Sequence, residues 1–154
     1  MTSDKQVQFT ILSINISEKK GEQKKPVKKA LLQVDFGIEG DAHGGNWPRQ
    51  ISLLADEDIE FMRNKGVELN FGDFAENITT RGIDLSSLPA GAILHLGPVI
   101  MEVTQIGKEC HHGCAIYQAI GDCVMPRKGI FARVIRGGEI SCESSCYYHI
   151  RPGG

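Results

Sequence analysis

The stretch VQFTILSINIS, residues 7 to 17, alternates apolar and polar residues along its length. A period of two puts every second side chain on one face, which is the pattern of a half-buried strand. The same kind of segment recurs. ALLQVDF (30 to 36) reads as a second strand ending at Gly37, ISLL (51 to 54) as a short buried one, and FAENITT (74 to 80) as another. AILHLGPVIMEVTQIG (92 to 107) reads as a hairpin turning at Gly97-Pro98, and GIFARVIRGGEIS (129 to 141) as a strand, a Gly-Gly turn and the start of a further strand. Glycine fills 18 of 154 positions, well above the usual share of about 7%. That many turn formers suits an antiparallel β protein better than a helical bundle.

ADEDIEFMRNKG (55 to 66) is the clearest helix. Asp56, Glu57 and Asp58 crowd its first turn, where the macrodipole favours anions. Ile59 and Met62 share one face, Arg63 and Lys65 sit in the last turn, and Gly66 is a natural stop. AIYQAIG (115 to 121) is a shorter helix candidate. One long helix among many strands predicts a mainly β domain, a barrel with a few short helices at its edges.

A chain of 154 residues buries a core without needing disulfides or metal to fold. The net charge of −2 gives no reason to expect nucleic acid. The basic run EKKGEQKKPVKK (18 to 29) reads as a solvated loop, with contact to an anionic partner as the alternative. No apolar segment approaches the roughly 20 residues of a membrane span, and no signal peptide is visible, so the expected location is the cytoplasm. The five cysteines, an odd number, are then expected as reduced thiols.

Three clusters carry chemistry. GIEGDAHGGNWPRQ (37 to 50) must be a loop, and it holds Asp41, His43, Trp47 and Arg49. His43 and Arg49 have the chemistry of a phosphate site. Asp41 and His43 have equally the chemistry of loop fixers, bonding side chain to backbone. FGDFAENITTRG (71 to 82) places Glu76 beside Asn77. On a strand the two would face opposite sides, and the inward one would need a buried partner. Arg81 in the same cluster reads as solvated surface. KECHHGC (108 to 114) sets Cys110 between Lys108 and two histidines, and Cys114 opens the short helix candidate. Positive charge and a helix N-terminus both favour thiolate. A structural zinc site is the other reading, but the spacing C-x3-C followed by C-x8-C to Cys123 matches no standard pair of zinc ligands.

GIEGDAH, GDFAENIT, GIDL, LPAGAILHLG, MEVTQIGKEC and GIFARVIRGG occur in this order. The ordered set resembles the MOSC domain, named for the C-terminal domain of molybdenum-cofactor sulfurase. The stretch KEC…C…GDC…MP is similar to small stand-alone MOSC proteins linked to molybdenum-cofactor biosynthesis. The resemblance runs from about residue 7 to 140, which makes residues 1 to 154 one MOSC domain with a divergent tail from 141. There, two cysteines and a histidine in GGEISCESSCYYHIRPGG stand where the family has a GD turn. The final strand is therefore open to being frayed, swapped or metal-binding.

The resemblance implies a MOSC-type β-barrel and one key cysteine, matched by Cys110. That thiol would carry persulfide sulfur or bind the molybdenum of a pterin cofactor, with Cys114 as second or resolving thiol. The family's GDxH and EN positions fall on Gly40, Asp41, His43, Glu76 and Asn77, which would line one cavity. Candidate cofactor contacts are Asp41, His43, Arg49, Asn77, Arg81 and Lys108, with Lys108, His43 and Arg49 on the phosphate of molybdopterin. The implied function is a sulfur carrier or cofactor-binding protein, and its partners would be the pterin, a sulfur donor and biosynthetic proteins. The alternative is a non-catalytic zinc or scaffold module built on Cys110, Cys114, Cys123 and a histidine. The family is also associated with pyridoxal phosphate, but no lysine here matches a Schiff-base site.

Overall fold

The structure is a computed structural model that describes residues 7–19, 23–66, 68–106 and 129–150. Its strands are β1 (Val7–Ile16), β2 (Lys25–Val27), β3 (Lys29–Gln33), β4 (Gly37–Ile38), β5 (Ile51–Ala55), β6 (Ile78–Arg81), β7 (Ile93–Leu96), β8 (Val99–Ile106), β9 (Ile130–Arg136), β10 (Gly138–Ser141) and β11 (Cys146–His149). One α-helix, α1 (Asp56–Arg63), and one 3₁₀ turn, Leu85–Ser87, complete the described elements.

The main sheet runs β11-β7-β8-β9-β5-β6-β1-β2, and β11 also pairs with β1. That extra pairing closes seven strands into a barrel and leaves β2 outside the ring. Closure removes the open edges that would otherwise template aggregation. The barrel is filled by inward residues from all sides, among them Ile11, Leu53, Ile78, Leu94, Met101 and Val134. A second small sheet, β10-β3-β4, packs Leu32, Ile38 and Ile140 onto the same core.

Every adjacent pair in the barrel is antiparallel except β5 and β6. A parallel pair cannot be joined by a tight turn and needs a crossover. Helix α1 and the loop after it are that crossover, which explains the one long helix in a β sequence. Its buried face is Asp56, Ile59 and Met62, and the acidic first turn and Arg63 sit where expected. The helix ends at Arg63, before Lys65.

The hairpin at Gly97-Pro98 forms in register, with Leu96 opposite Val99. In β1 the alternation is interrupted by a bulge between Ile11 and Ser13. Beyond it both faces are covered, so Ile14 enters the core while Ser13 and Asn15 are buried under the loop before β6.

Three expectations need correction. FAENITT is a strand only from Ile78, because the backbone at Ala75 turns to φ 62° and cannot stay in a ladder. Glu76 and Asn77 therefore do not alternate, and both are buried, at 0% and 1% exposure. The Gly-Gly turn after β9 does not fold back into a hairpin; β10 leaves to pair with β3. The divergent tail is no frayed end either. Its CYYH segment is β11, hydrogen-bonded on both sides, and it is the strand that completes the ring.

Candidate functional site

The glycine-rich loop between β4 and β5 folds against the end of β8. Arg49 Nε donates to Gln105 Oε1 at 3.3 Å, and the Thr104 hydroxyl donates to the carbonyl of Pro48. The Arg49 guanidinium lies over the ring of Phe131, 5.4 Å from its centre, a cation–π contact. Below it sits a cavity of about 90 Å³ lined by His43, Trp47, Arg49, Ser52, Ala75, Asn77 and Phe131.

Each wall has its own cause. Asn77 is held from both sides. Its Oδ1 accepts from Ser52 N at 3.0 Å and its Nδ2 donates to the carbonyl of Asn15 at 3.1 Å. Glu76 builds the turn that puts Asn77 there. Its carboxylate accepts from Gly72 N, Phe74 N and the Thr79 hydroxyl. Burial nevertheless pushes its acidity weaker than that of an ordinary glutamate, the hydrogen bonds offsetting only part of the desolvation.

His43 and Trp47 are set by the loop itself. Trp47 Nε1 donates to the carbonyl of His43 at 2.8 Å. Behind His43 lies a buried ion pair that no spacing rule announced. Lys24 Nζ is 2.7 Å from Asp41 Oδ1, with both side chains fully buried. The same nitrogen is 3.2 Å from Ser17 Oγ and 2.8 Å from His43 Nδ1. Asp41 also accepts from the backbone N–H of Ser17 and of His43. Burial works against its charge, but the bonds from Lys24 and Ser17 outweigh it and hold the carboxyl below the ordinary aspartate range.

Asp41 thus acts behind the site, as a loop fixer, while His43, Arg49 and Asn77 meet at the cavity. Arg81 does not join them. Its Nη1 bonds Asp56 Oδ2 at 3.0 Å, and Arg63 bonds the other oxygen of the same carboxylate. Lys108, Cys110 and Cys114, like Cys123 and the short helix candidate, lie outside the described residues. Gln105 pairs with Phe131 and Ile106 with Ile130, the last described pairs on either side of residues 107 to 128.

Sequence reasoning missed Lys24, Ser52, Gln105 and Phe131. Lys24 was hidden in a lysine-rich run whose other members carried no distinguishing mark. The rest are ordinary strand residues whose role arises only when loop and barrel meet.

The two described cysteines are not candidates for thiolate chemistry. Cys142 is raised above an ordinary thiol by burial and by Glu143, and burial pushes Cys146 up to about 12. Among the described residues no three possible ligands gather for a metal ion. No helix among them is long and apolar enough to cross a membrane.

The sequence matches the MOSC domain over residues 39–147, well over half of the chain. The chain belongs to the MOSC domain family, which is associated with the molybdenum cofactor. Among solved structures it is similar to the YuaD protein of Bacillus subtilis, with a TM-score of 0.80 at 19% identity over 97% of this chain and 100% of that one. It is also similar to YiiM from Geobacillus stearothermophilus, with a TM-score of 0.70 at 21% identity over 94% of this chain and 76% of that one. YiiM from Escherichia coli gives a TM-score of 0.68 at 17% identity over 96% and 72%. These likenesses are of fold. A search of curated proteins found no match.

Proposed function

We propose that this chain is a molybdenum-cofactor-related sulfur carrier or cofactor-binding protein, with its ligand site at the cavity between the glycine-rich loop and the ends of β8 and β9. The observation that carries this reading is convergence. His43 and Arg49 of the glycine-rich loop and Asn77 just before β6 line one cavity, and Phe131 on its wall pairs with Gln105, five positions before Cys110 in the sequence. Cys110 follows Ile106 by only four positions in the sequence.

The chemistry of the walls fits one end of the cofactor. A guanidinium, an imidazole and a buried amide suit an oxyanion such as the pterin phosphate. The volume of about 90 Å³ admits a group of that size, whereas whole-ligand pockets run to roughly 300–1,000 Å³. The pterin body would therefore extend past these walls. When bound, the cofactor supplies a sulfur-held molybdenum centre. The chain's own residues orient its phosphate, with Arg49 held over Phe131, and Cys110 offers a thiolate for sulfur. Arg81, tied to Asp56 outside the cavity lining, is left out of this set.

Trp47 is the only tryptophan in the chain and lines the cavity, so its fluorescence reports occupancy. Titration with molybdopterin should change Trp47 emission saturably. Intact mass after incubation with a persulfide donor should show added sulfur that a reductant removes and that Cys110→Ala abolishes. Silence in both experiments overturns the reading. Zinc bound stoichiometrically to protein purified without added metal would favour the scaffold alternative.

A further inference from the structure

The buried Lys24 has a consequence for the cavity. An ammonium carries three N–H donors and no acceptor. Lys24 Nζ has three acceptor atoms within bonding distance: Asp41 Oδ1 at 2.7 Å, His43 Nδ1 at 2.8 Å and Ser17 Oγ at 3.2 Å. Three protons meet three acceptors, so no partner needs to give a proton to the nitrogen. A donor-only group facing Nδ1 requires a lone pair there. The ring proton must then sit on Nε2. His43 lines the cavity with its side chain about a quarter exposed, while Lys24 and Asp41 are sealed off behind it.

We infer that Lys24 is a positioning residue that locks His43 as a neutral imidazole with its proton on Nε2, giving the cavity an uncharged hydrogen-bond donor for a ligand acceptor such as a phosphate oxygen. Its use toward a ligand rests on the proposed function, whereas the state of the ring does not. Adding a second proton would set an N–H against the ammonium 2.8 Å away. Among the described residues, charged groups that bear on the ring are Lys24 behind it, Asp41, whose Oδ2 is 4.0 Å from Nδ1, and Arg49 on the cavity wall. Asp41 favours the imidazolium, but it is farther than Lys24 and already engaged by it. Both cations oppose charging. The outcome is a site whose donor pattern holds across the physiological range, unlike that of a free histidine, which titrates near 6.5.

The test uses ligand-free, full-length protein labelled with ¹⁵N-histidine, because ring nitrogen shifts distinguish both tautomers and the charged form. His43 is assigned by His43→Gln. Between about pH 8 and pH 5, the range in which an ordinary histidine changes charge, the wild-type ring should stay in the Nε2–H form. The double variant Lys24→Met/Asp41→Asn removes both buried charges together, which avoids stranding one of them. Its His43 should mix tautomers and titrate near the ordinary value. A wild-type ring that carries its proton on Nδ1, or that charges near 6.5, overturns the inference, and this arm stands if the variant does not fold. Inorganic phosphate added to the same sample separates the two ideas. A locked ring whose Nε2 shift and Trp47 emission ignore phosphate would sink the cavity's role as a phosphate site and leave the lock intact.

Discussion

Arg49 Nε donates to Gln105 Oε1 at 3.3 Å, which ties the glycine-rich loop to the last turn of sheet before the segment that carries Cys110. The bond engages only Nε of the guanidinium. Among the described residues its Nη atoms make no hydrogen bond, and Arg49 lines the cavity. A charge-assisted bond to a phosphate contributes roughly 1.5–3 kcal/mol. Arg49→Ala should therefore weaken molybdopterin binding about tenfold or more, one decade per 1.4 kcal/mol. Wild-type affinity should fall with added salt, since part of the attraction is electrostatic. Arg49→Lys keeps the charge but loses the planar fork, so it should recover only part of the loss. Trp47 fluorescence titrations read all three. Equal affinity in Arg49→Ala and wild type would remove Arg49 from the site.

Gly72 meets Lys24 at the most confined point behind the cavity. Its φ is +91°, and an added Cβ would come 2.1 Å from the carbonyl oxygen of Lys24. Gly66 has nearly the same backbone, φ +94°, with open space around it. The pair separates strain from collision. Gly66→Ala should lose about 1–2 kcal/mol, the left-handed backbone penalty. Gly72→Ala adds overpacking of a further 1–3 kcal/mol and should lose at least about 2 kcal/mol in all. Urea unfolding measures both. Similar losses for the two would mean that the Lys24 backbone does not sit where the buried pair requires it.

The barrel was legible because its strands obey a period of two and its hairpin carries a Gly-Pro turn at the right place. What stayed hidden was long-range. Ala75 and Glu76 sit in a run that reads as strand, yet Glu76 takes the N–H groups of Gly72 and Phe74 that a ladder would have used. Lys24 belongs to a charged run whose default is solvent, and only the buried Asp41, 17 positions on, gives it a reason to be inside. CYYH reads as an irregular tail because strand pairing with β1 and β7 is not encoded locally. Of the site, His43, Arg49 and Asn77 were visible as residue types. Their convergence was not, because it depends on the loop docking onto β8.

That closing strand carries a pH-sensitive contact. His149 on β11 and His95 on β7 place their Nε2 atoms 3.0 Å apart, and His95 also stacks on Tyr147 at 4.3 Å between ring centres. One ring must donate and the other accept, so the bond exists only while at least one is neutral. Burial, with His149 adding to it, lowers the pKa of His95 below 6.5. The unfolded chain then binds more protons than the folded one once pH falls below about 6.5, and stability is lost as pH drops toward the lower folded value. Thermal midpoints should decline between about pH 7 and pH 5 more steeply in wild type than in His95→Gln, where this titration is absent. Parallel profiles would mean that the pair does not contribute.

Closure by β11 also sets the order in which the thiols react. Cys146 points into the barrel core at 4% exposure, donates to the carbonyl of Ser144, and is pushed up to about 12 by burial. Near neutral pH almost none of it is thiolate, and the thiolate is the form that reacts. Cys142 is exposed, so reagent reaches it, but its acidity is also weakened, by burial and by Glu143. Cys110, placed between Lys108 and two histidines, has the cationic sequence setting that favours thiolate. Timed alkylation of native protein with peptide mapping should therefore label Cys110 first, Cys142 later, and Cys146 only after denaturant opens the ring. Cys110→Ala should remove the fast phase while costing at most about 1–2 kcal/mol of stability. Fast labelling of Cys146 in folded protein would mean that β11 does not close the barrel. Fast labelling of Cys142 ahead of Cys110 would take the sulfur-carrying role away from the rim of the cavity.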